Sequence, residues 1–401
     1  MSETPPQAYI SKVHLKGYKS IKDLEIDFKP GLNIIIGPNG SGKTNFLEWL
    51  DKAFSLNVEN IKNVVYGKTE FYLQEKKYYL EYSVKPSKQA KEKDAQDVNI
   101  SLYETENKLI HKEEYVKIGN KEIHTNTHFD MNSLFNYGFQ IKDFLDLTIP
   151  NAAIQLIRFG VDKDFNDFMG SSFSIQFYDE LINSGDSAME SLFEVMGDTK
   201  LNEDESKLLE LSVNSSFFQI LDAYSPIRDI KFDLSASRTM EGEFNNGNDE
   251  DYDTYFEVQD VRIKFLVGNT WIDWSMLSDG TKRIFYLLYR IFTSKSALFF
   301  LEEPELGIHP DQLHKLIDFL KEQAKTKQII ITTHSPEVLS ILGNDELDRI
   351  VVTRYDAEKG TQMHHLSEKQ IRKGQIYIEE VGNLSSFWVH SNLEEYETEA
   401  Q

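Results

Sequence analysis

Residues 37–44 read Gly37-Pro38-Asn39-Gly40-Ser41-Gly42-Lys43-Thr44, which is the G-x-x-x-x-G-K-[ST] spacing of a phosphate-binding loop. Such a loop turns the backbone N–H groups of Asn39, Gly40, Ser41 and Gly42 toward the phosphates of a nucleoside triphosphate. Lys43 adds a positive charge, and the Thr44 hydroxyl reaches Mg²⁺. Far along the chain, Ala297-Leu298-Phe299-Phe300-Leu301 ends in Glu302-Glu303-Pro304-Glu305. In an ATPase the first acid of such a pair, Glu302, orients the hydrated Mg²⁺, and the second, Glu303, polarises the attacking water. His334 follows the apolar run Gln328-Ile329-Ile330-Ile331-Thr332-Thr333 and can hydrogen-bond a γ-phosphate from there. Leu277-Ser278-Asp279-Gly280-Thr281-Lys282-Arg283 opens an amphipathic pattern, so Ser278 and Gly280 lie at a helix N-terminus that favours anions.

These groups need a scaffold that brings them to one edge. Leu32-Asn33-Ile34-Ile35-Ile36 leads into the phosphate loop as a strand, and a helical pattern leads out of it from Thr44. The runs at 297–301 and 328–333 are apolar throughout, as strands of a buried parallel sheet should be. Ligands in α/β sheets bind outside the carboxyl ends of such strands. The pattern predicts an α/β fold with a mixed central sheet that carries the phosphate loop.

Along the chain, 9–28 alternates apolar and polar residues around a Gly17–Ser20 turn, predicting two paired strands. Residues 64–125, rich in Tyr, Val and Ile, predict an antiparallel β layer with a polar loop at 88–97. Residues 145–222 show apolar positions at helical spacing and predict a helical insertion. The acid-rich segment 241–257 predicts a solvated loop. Strand–helix alternation resumes at 261–342, mixed signals fill 349–390, and an acidic tail closes the chain. The resulting division is 1–145 for a first lobe, 146–222 for the insertion, 223–345 for a second lobe and 346–401 for a C-terminal extension.

The chain has 401 residues, 43 basic and 66 acidic, with a net charge of −23. That charge argues against a surface that holds DNA constitutively, because phosphate neutralisation needs a basic face. The absence of cysteine removes disulfides and thiol chemistry and fits a reducing cytosol. No charged-then-apolar leader and no membrane-length apolar run stand in the sequence, so a soluble, cytoplasmic protein is expected.

Taken in order, the phosphate loop, the L-S-x-G segment, the Leu-Glu-Glu-Pro-Glu strand end with Gly307-Ile308-His309-Pro310, and Thr-Thr-His-Ser-Pro resemble ABC-type ATPases of the RecF/SMC/OLD group, especially stand-alone prokaryotic members. The resemblance covers 1–60 and 223–345 well and the middle loosely. It implies an ABC-type ATPase head in which two heads sandwich two ATP molecules. Ser278 and Gly280 would then contact the γ-phosphate of the other subunit's nucleotide, Glu303 would be the catalytic carboxylate and His334 the switch. Glu302 stands where many members have Asp, and the signature reads Ser-Asp-Gly-Thr instead of Ser-Gly-Gly-Gln. Gln140 resembles the glutamine that senses Mg²⁺, with Gln155 as a competitor. Lys19, in a Tyr-Lys-Ser turn, resembles the basic residue that approaches the nucleotide, although a solvent-facing turn lysine fits equally.

OLD nucleases append a Toprim metal domain after the His strand. Its glycine-flanked Glu and Asp-x-Asp pattern is not found after 334, Asp345-Glu346-Leu347-Asp348 reads as a helix or turn of acids, and His364-His365 lacks metal-spaced partners. The leading expectation is an ATP-dependent sensor that regulates a separate effector, as in two-gene antiphage defence systems. The alternative is a DNA-repair ATPase that clamps DNA with basic residues such as Lys12, Lys16, Lys19 and Lys22. A membrane transporter head is a third class, from which the Glu-Glu-Pro-Glu…His-Pro pattern points away.

Overall fold

The computed structural model describes residues 6, 8–54, 64–73, 75–86, 96–104, 108–118, 121–129, 154–157, 169–171, 173–178, 215–233, 238–245, 252–294 and 296–390. The chain divides into two compact units, one formed by 1–158, 293–306 and 317–401 and the other by 159–292 and 307–316.

In the larger unit, β1 (Ala8–Tyr18), β2 (Ile21–Asp27) and β3 (Leu32–Ile36) precede helix α1 (Lys43–Phe54). Then come β4 (Tyr66–Leu73), β5 (Lys76–Pro86), β6 (Gln96–Glu104), β7 (Lys108–Ile118), β8 (Lys121–Phe129) and β9 (Ile154–Ile157). The smaller unit holds β10 (Phe173–Tyr178), α2 (Ser215–Tyr224), β11 (Ile227–Asp233), β12 (Arg238–Asn245), β13 (Tyr252–Val267), β14 (Thr270–Asp273) and most of α3 (Asp279–Thr293). After β15 (Leu298–Glu302) come α4 (Pro310–Gln323), β16 (Gln328–Thr333), β17 (Ile350–Asp356), β18 (Gly360–His365), α5 (Glu368–Glu380) and α6 (Leu384–His390).

The described strands of the larger unit form one sheet, ordered β8-β7-β6-β5-β4-β1-β2-β18-β17-β3-β16-β15-β9. Its β9, β15, β16, β3 and β17 run parallel, and the remaining neighbours are antiparallel. The parallel strands β3, β15 and β16 are almost wholly buried, which explains their unbroken apolar runs. The antiparallel strand β4 alternates buried and half-buried residues. Helix α1 buries Phe46, Leu47, Trp49, Leu50, Ala53 and Phe54, positions three and four apart on one face. Gln328, itself buried, accepts from Ile10 N–H and donates to the Ile10 and Lys29 carbonyls. A buried amide needs all these bonds, and they tie the parallel core to the antiparallel layer.

Two expectations are corrected. The stretch 145–222 is not uniformly helical: β9 pairs parallel with β15, and β10 pairs with β13, while Ser215–Tyr224 is the helix that was expected. Four residues, three of them apolar, are enough for a strand when a neighbour supplies the ladder. The segment 241–257 is not a loop at its ends, because β12 and β13 pair from Arg238↔Gln259 to Asn245↔Tyr252. Acid-rich composition suggested solvent, and cross-strand pairing outweighed it. The loop expected at 88–97 lies outside the described residues, apart from Gln96 and Asp97, which open β6.

Candidate nucleotide-binding site

Parallel pairing aligns the carboxyl ends of three adjacent strands. Thr332 lies opposite Glu302 on one side and Ile35 on the other. The phosphate loop after β3, the acids at the tip of β15 and His334 after β16 therefore meet at one sheet edge, all within the larger unit. A cavity of about 340 Å³ opens there, lined by residues 39–45 and Glu303.

The loop is built to receive an anion. Gly42 has φ +102°, and a Cβ on it would come within 2.0 Å of Thr361 Oγ1, so no other residue fits. Behind it, Ser20 Oγ lies 2.7 Å from Thr361 Oγ1 and accepts from Asn45 Nδ2 at 2.7 Å. The Thr361 N–H donates to the Ser20 carbonyl at 2.8 Å. These three polar side chains brace the loop from the β1–β2 turn and from β18. Lys43, buried, donates to the Gly37 carbonyl at 2.7 Å and the Pro38 carbonyl at 3.1 Å. Burial lowers its amine below the ordinary lysine value, while Glu303, Glu305 and Glu302 pull it back up.

The other groups converge on the same edge. The Thr44 hydroxyl donates to Glu302 Oε1. His334 Nδ1 lies 3.1 Å from Glu303 Oε1. Glu303 adopts φ +44°, a left-handed conformation that costs a non-glycine residue about 1–3 kcal/mol and is found where function constrains the backbone. Its N–H donates to the Thr332 carbonyl at 2.9 Å, which holds that conformation between the two strands.

The residues present fit a nucleotide with Mg²⁺. Ser41 Oγ is buried in the loop without a hydrogen-bond partner among the described residues. Thr44 and Glu302 offer a hydroxyl and a carboxylate side by side, a hard oxygen set suited to a Mg²⁺ that keeps most of its waters. No group of three or more His, Cys, Asp or Glu placed for a metal occurs among the described residues. One carboxylate and one hydroxyl are the expected minimum for an ion that phosphates also hold.

Ser278 and Gly280 belong to the smaller unit. Ser278 is exposed and caps α3: its Oγ accepts from the Thr281 N–H at 3.2 Å and lies 2.8 Å from Thr281 Oγ1. A Cβ on Gly280 would come within 2.4 Å of the Gly307 carbonyl, so the helix packs there only with glycine. Lys19 has φ +48°, pairs with Glu48 and lies over the Tyr18 ring at 5.6 Å; it is not among the residues lining the cavity. Gln140 lies outside the described residues, and so does the side chain of Gln155. Ser20, Asn45 and Thr361 are site residues that the motif reading missed. Thr361 carries no motif of its own, and only its distant pairing with Ser20 reveals it.

A phosphate loop, an acidic strand tip and a histidine strand tip on adjacent parallel strands define an α/β nucleotide-binding ATPase head. The AAA ATPase domain family matches residues 9–339, and the chain belongs to that family. An "ATP/GTP phosphatase" of Helicobacter pylori (strain ATCC 700392 / 26695) is 23% identical over 351 residues, covering 83% of this chain and 87% of that protein. "Endonuclease GajA" of Bacillus cereus (strain VD045) is 22% identical over 361 residues, covering 85% of this chain and 58% of that protein. "DNA replication and repair protein RecF" of Desulfitobacterium hafniense (strain DSM 10664 / DCB-2) is 41% identical over 68 residues, only 16% of this chain and 19% of that protein. The resemblance to the RecF/SMC/OLD-like group stands with these relatives. No described helix is long and apolar enough to cross a membrane.

Proposed function

We propose that the protein binds and hydrolyses ATP with Mg²⁺, pairs head to head around the nucleotide, and thereby regulates a separate effector protein in antiphage defence. The observation that carries the catalytic part is that Lys43, Thr44 and Glu303 line one cavity, with Glu302 bonded to Thr44 and His334 beside Glu303. Lys43 would exchange its two loop carbonyls for phosphate oxygens, a stronger charge-assisted pairing. Thr44 and Glu302 would hold the hydrated ion, and Gln140 would sense it. Bound Mg²⁺ supplies neutralisation of the phosphate charge. Glu303 would accept the proton of the attacking water, and His334 would respond to the γ-phosphate. Ser278 and Gly280 would complete the site of a second copy, with Lys19 near the nucleotide. No nuclease step is assigned to the chain, and it would act in the cytoplasm without membrane contact.

The regulatory part rests on the motif resemblance and on charge, since a net −23 suits a basic protein partner. The DNA-clamp reading relied on Lys12, Lys16, Lys19 and Lys22. Lys12 pairs with Glu25 and Lys16 with Asp23, Lys19 pairs with Glu48, and Lys22 donates to the Ala357 and Glu358 carbonyls. Those pairings weaken the four lysines as a phosphate-binding face and favour the first reading. Co-purification with the neighbouring gene product, with and without ATP, tests the regulatory part. A stable partner is expected, and a partnerless ATPase under every nucleotide condition would count against it.

A further inference from the structure

Glu305 is the acid of the 302–305 run to which the ATPase reading gives no task. Its side chain is 6% exposed. Oε1 accepts a hydrogen bond from the Thr333 hydroxyl, whose oxygen in turn accepts from the Ser335 N–H at 2.9 Å. Oε2 is buried with no hydrogen-bond partner among the described residues. Burying a carboxylate oxygen without a donor is costly, and such an atom calls for a reason.

His334 stands beside the other oxygen of this carboxylate. His334 Nδ1 is 3.1 Å from Glu303 Oε1 and 3.8 Å from Glu305 Oε1. Ionised carboxylates only accept hydrogen bonds, so the ring nitrogen facing both must carry the proton. One N–H serves one carboxylate well at a time, and in this arrangement it serves Glu303. While it does, one lone pair of Glu303 Oε1 is engaged by the ring.

We propose that Glu305 is a positioning residue, the second acceptor for the His334 Nδ1–H, to which the imidazole moves its hydrogen bond when nucleotide binds, releasing Glu303. One N–H···O contact breaks and another forms, and no proton changes owner. Thr333 holds the Glu305 carboxylate through Oε1, and the remaining lone pair of that oxygen is the acceptor nearest the ring. This rests on the ATPase reading and adds the element that frees the catalytic carboxylate.

The test uses the full chain with ¹⁵N-labelled histidine, the His334 resonance being assigned by its loss in His334→Gln. In the wild type, a non-hydrolysable ATP analogue with Mg²⁺ should shift the His334 Nδ1 resonance. Glu305→Leu, which removes the acceptor, should abolish that shift and lower kcat about 10- to 100-fold, the scale of one charge-assisted hydrogen bond. KM should stay within about twofold, since binding groups are untouched. Glu305→Gln keeps an acceptor oxygen and should restore much of both readouts. Wild-type kcat and an unchanged shift in Glu305→Leu would overturn the proposal. Should Glu305→Leu fail to fold, a His334 resonance in the wild type that ignores the analogue would overturn it equally. An analogue that shifts His334 in the wild type but not in Glu305→Leu, in a protein without ATP turnover, would sink the ATPase reading and leave the transfer of the hydrogen bond to Glu305 supported.

Discussion

The phosphate-loop edge and the signature segment are both anion-favouring helix starts, yet they are built differently. At the loop, Lys43, Thr44, Glu302, Glu303 and His334 meet within one unit, and the loop is braced from behind by Ser20, Asn45 and Thr361. At the signature, Ser278 is exposed and spends its oxygen on its own helix cap. The first region has charged groups that can bind and do chemistry. The second has a helix N-terminus and a hydroxyl, with Asp279 and Lys282 3.9 Å apart in its first turn, which suits a group that completes another chain's site.

The largest effect should come from Lys43→Ala, which removes the cation of the loop. ATP affinity measured by calorimetry should fall on the order of 100-fold, since hydrogen bonds from a charged group are worth about 1.5–3 kcal/mol each. Retained affinity would break the assignment of the loop as the binding half. Next, Glu303→Gln should leave affinity unchanged and cut kcat roughly 10²- to 10³-fold, within the range of general-base loss. Normal turnover there would remove Glu303 as the catalytic carboxylate. Ser278→Arg should sharpen the contrast: ATP binding by the single chain persists, while turnover drops about tenfold or more because a paired head can no longer approach. If Ser278→Arg weakened single-chain binding as Lys43→Ala does, the division of labour between the two regions would be wrong.

Smaller effects fall on the brace behind the loop. Thr361→Val removes the hydroxyl facing Ser20 and should cost about 1 kcal/mol of stability, with ATP affinity down several-fold, whereas Thr361→Ser should be near neutral. Urea melts with and without ATP would show it. The same strand carries His364, whose pKa is pushed down to about 4 by burial, with Arg354 and His365 adding to the effect. The folded state therefore resists a proton that the unfolded chain accepts below about 6.5. That penalty is absent above that pH and grows as pH falls toward 4. The loss should be on the order of 1 kcal/mol once solvent screening of this partly exposed ring is allowed for, and His364→Asn should flatten it.

Much of the binding half was legible because each of its parts is local. The Leu32–Ile36 strand, the glycines and Lys43 are contiguous, and the acid and histidine tips each end an apolar run. What could not be read is non-local. Thr361 meets Ser20 across most of the chain's length, and Glu305 meets Thr333 from the next strand over. Neither position differs in type from an ordinary surface Thr or Glu. One error shares that cause, since β9 becomes a strand through β15, far away in sequence; the other is local, since β13 pairs with its neighbour β12 across an acid-rich stretch whose composition suggested a loop. The reading of Ser278 as a helix cap was legible from its place before α3.

The most direct test of a composite site is the mass of Glu303→Gln in solution, by sedimentation, with and without Mg-ATP. The expected result is a single chain of 46.5 kDa without nucleotide and a particle of twice that mass with it, the larger species being lost when Ser278→Arg is added. Tight ATP binding with the mass of one chain throughout would contradict the reading of Lys43 and Ser278 as halves of one site.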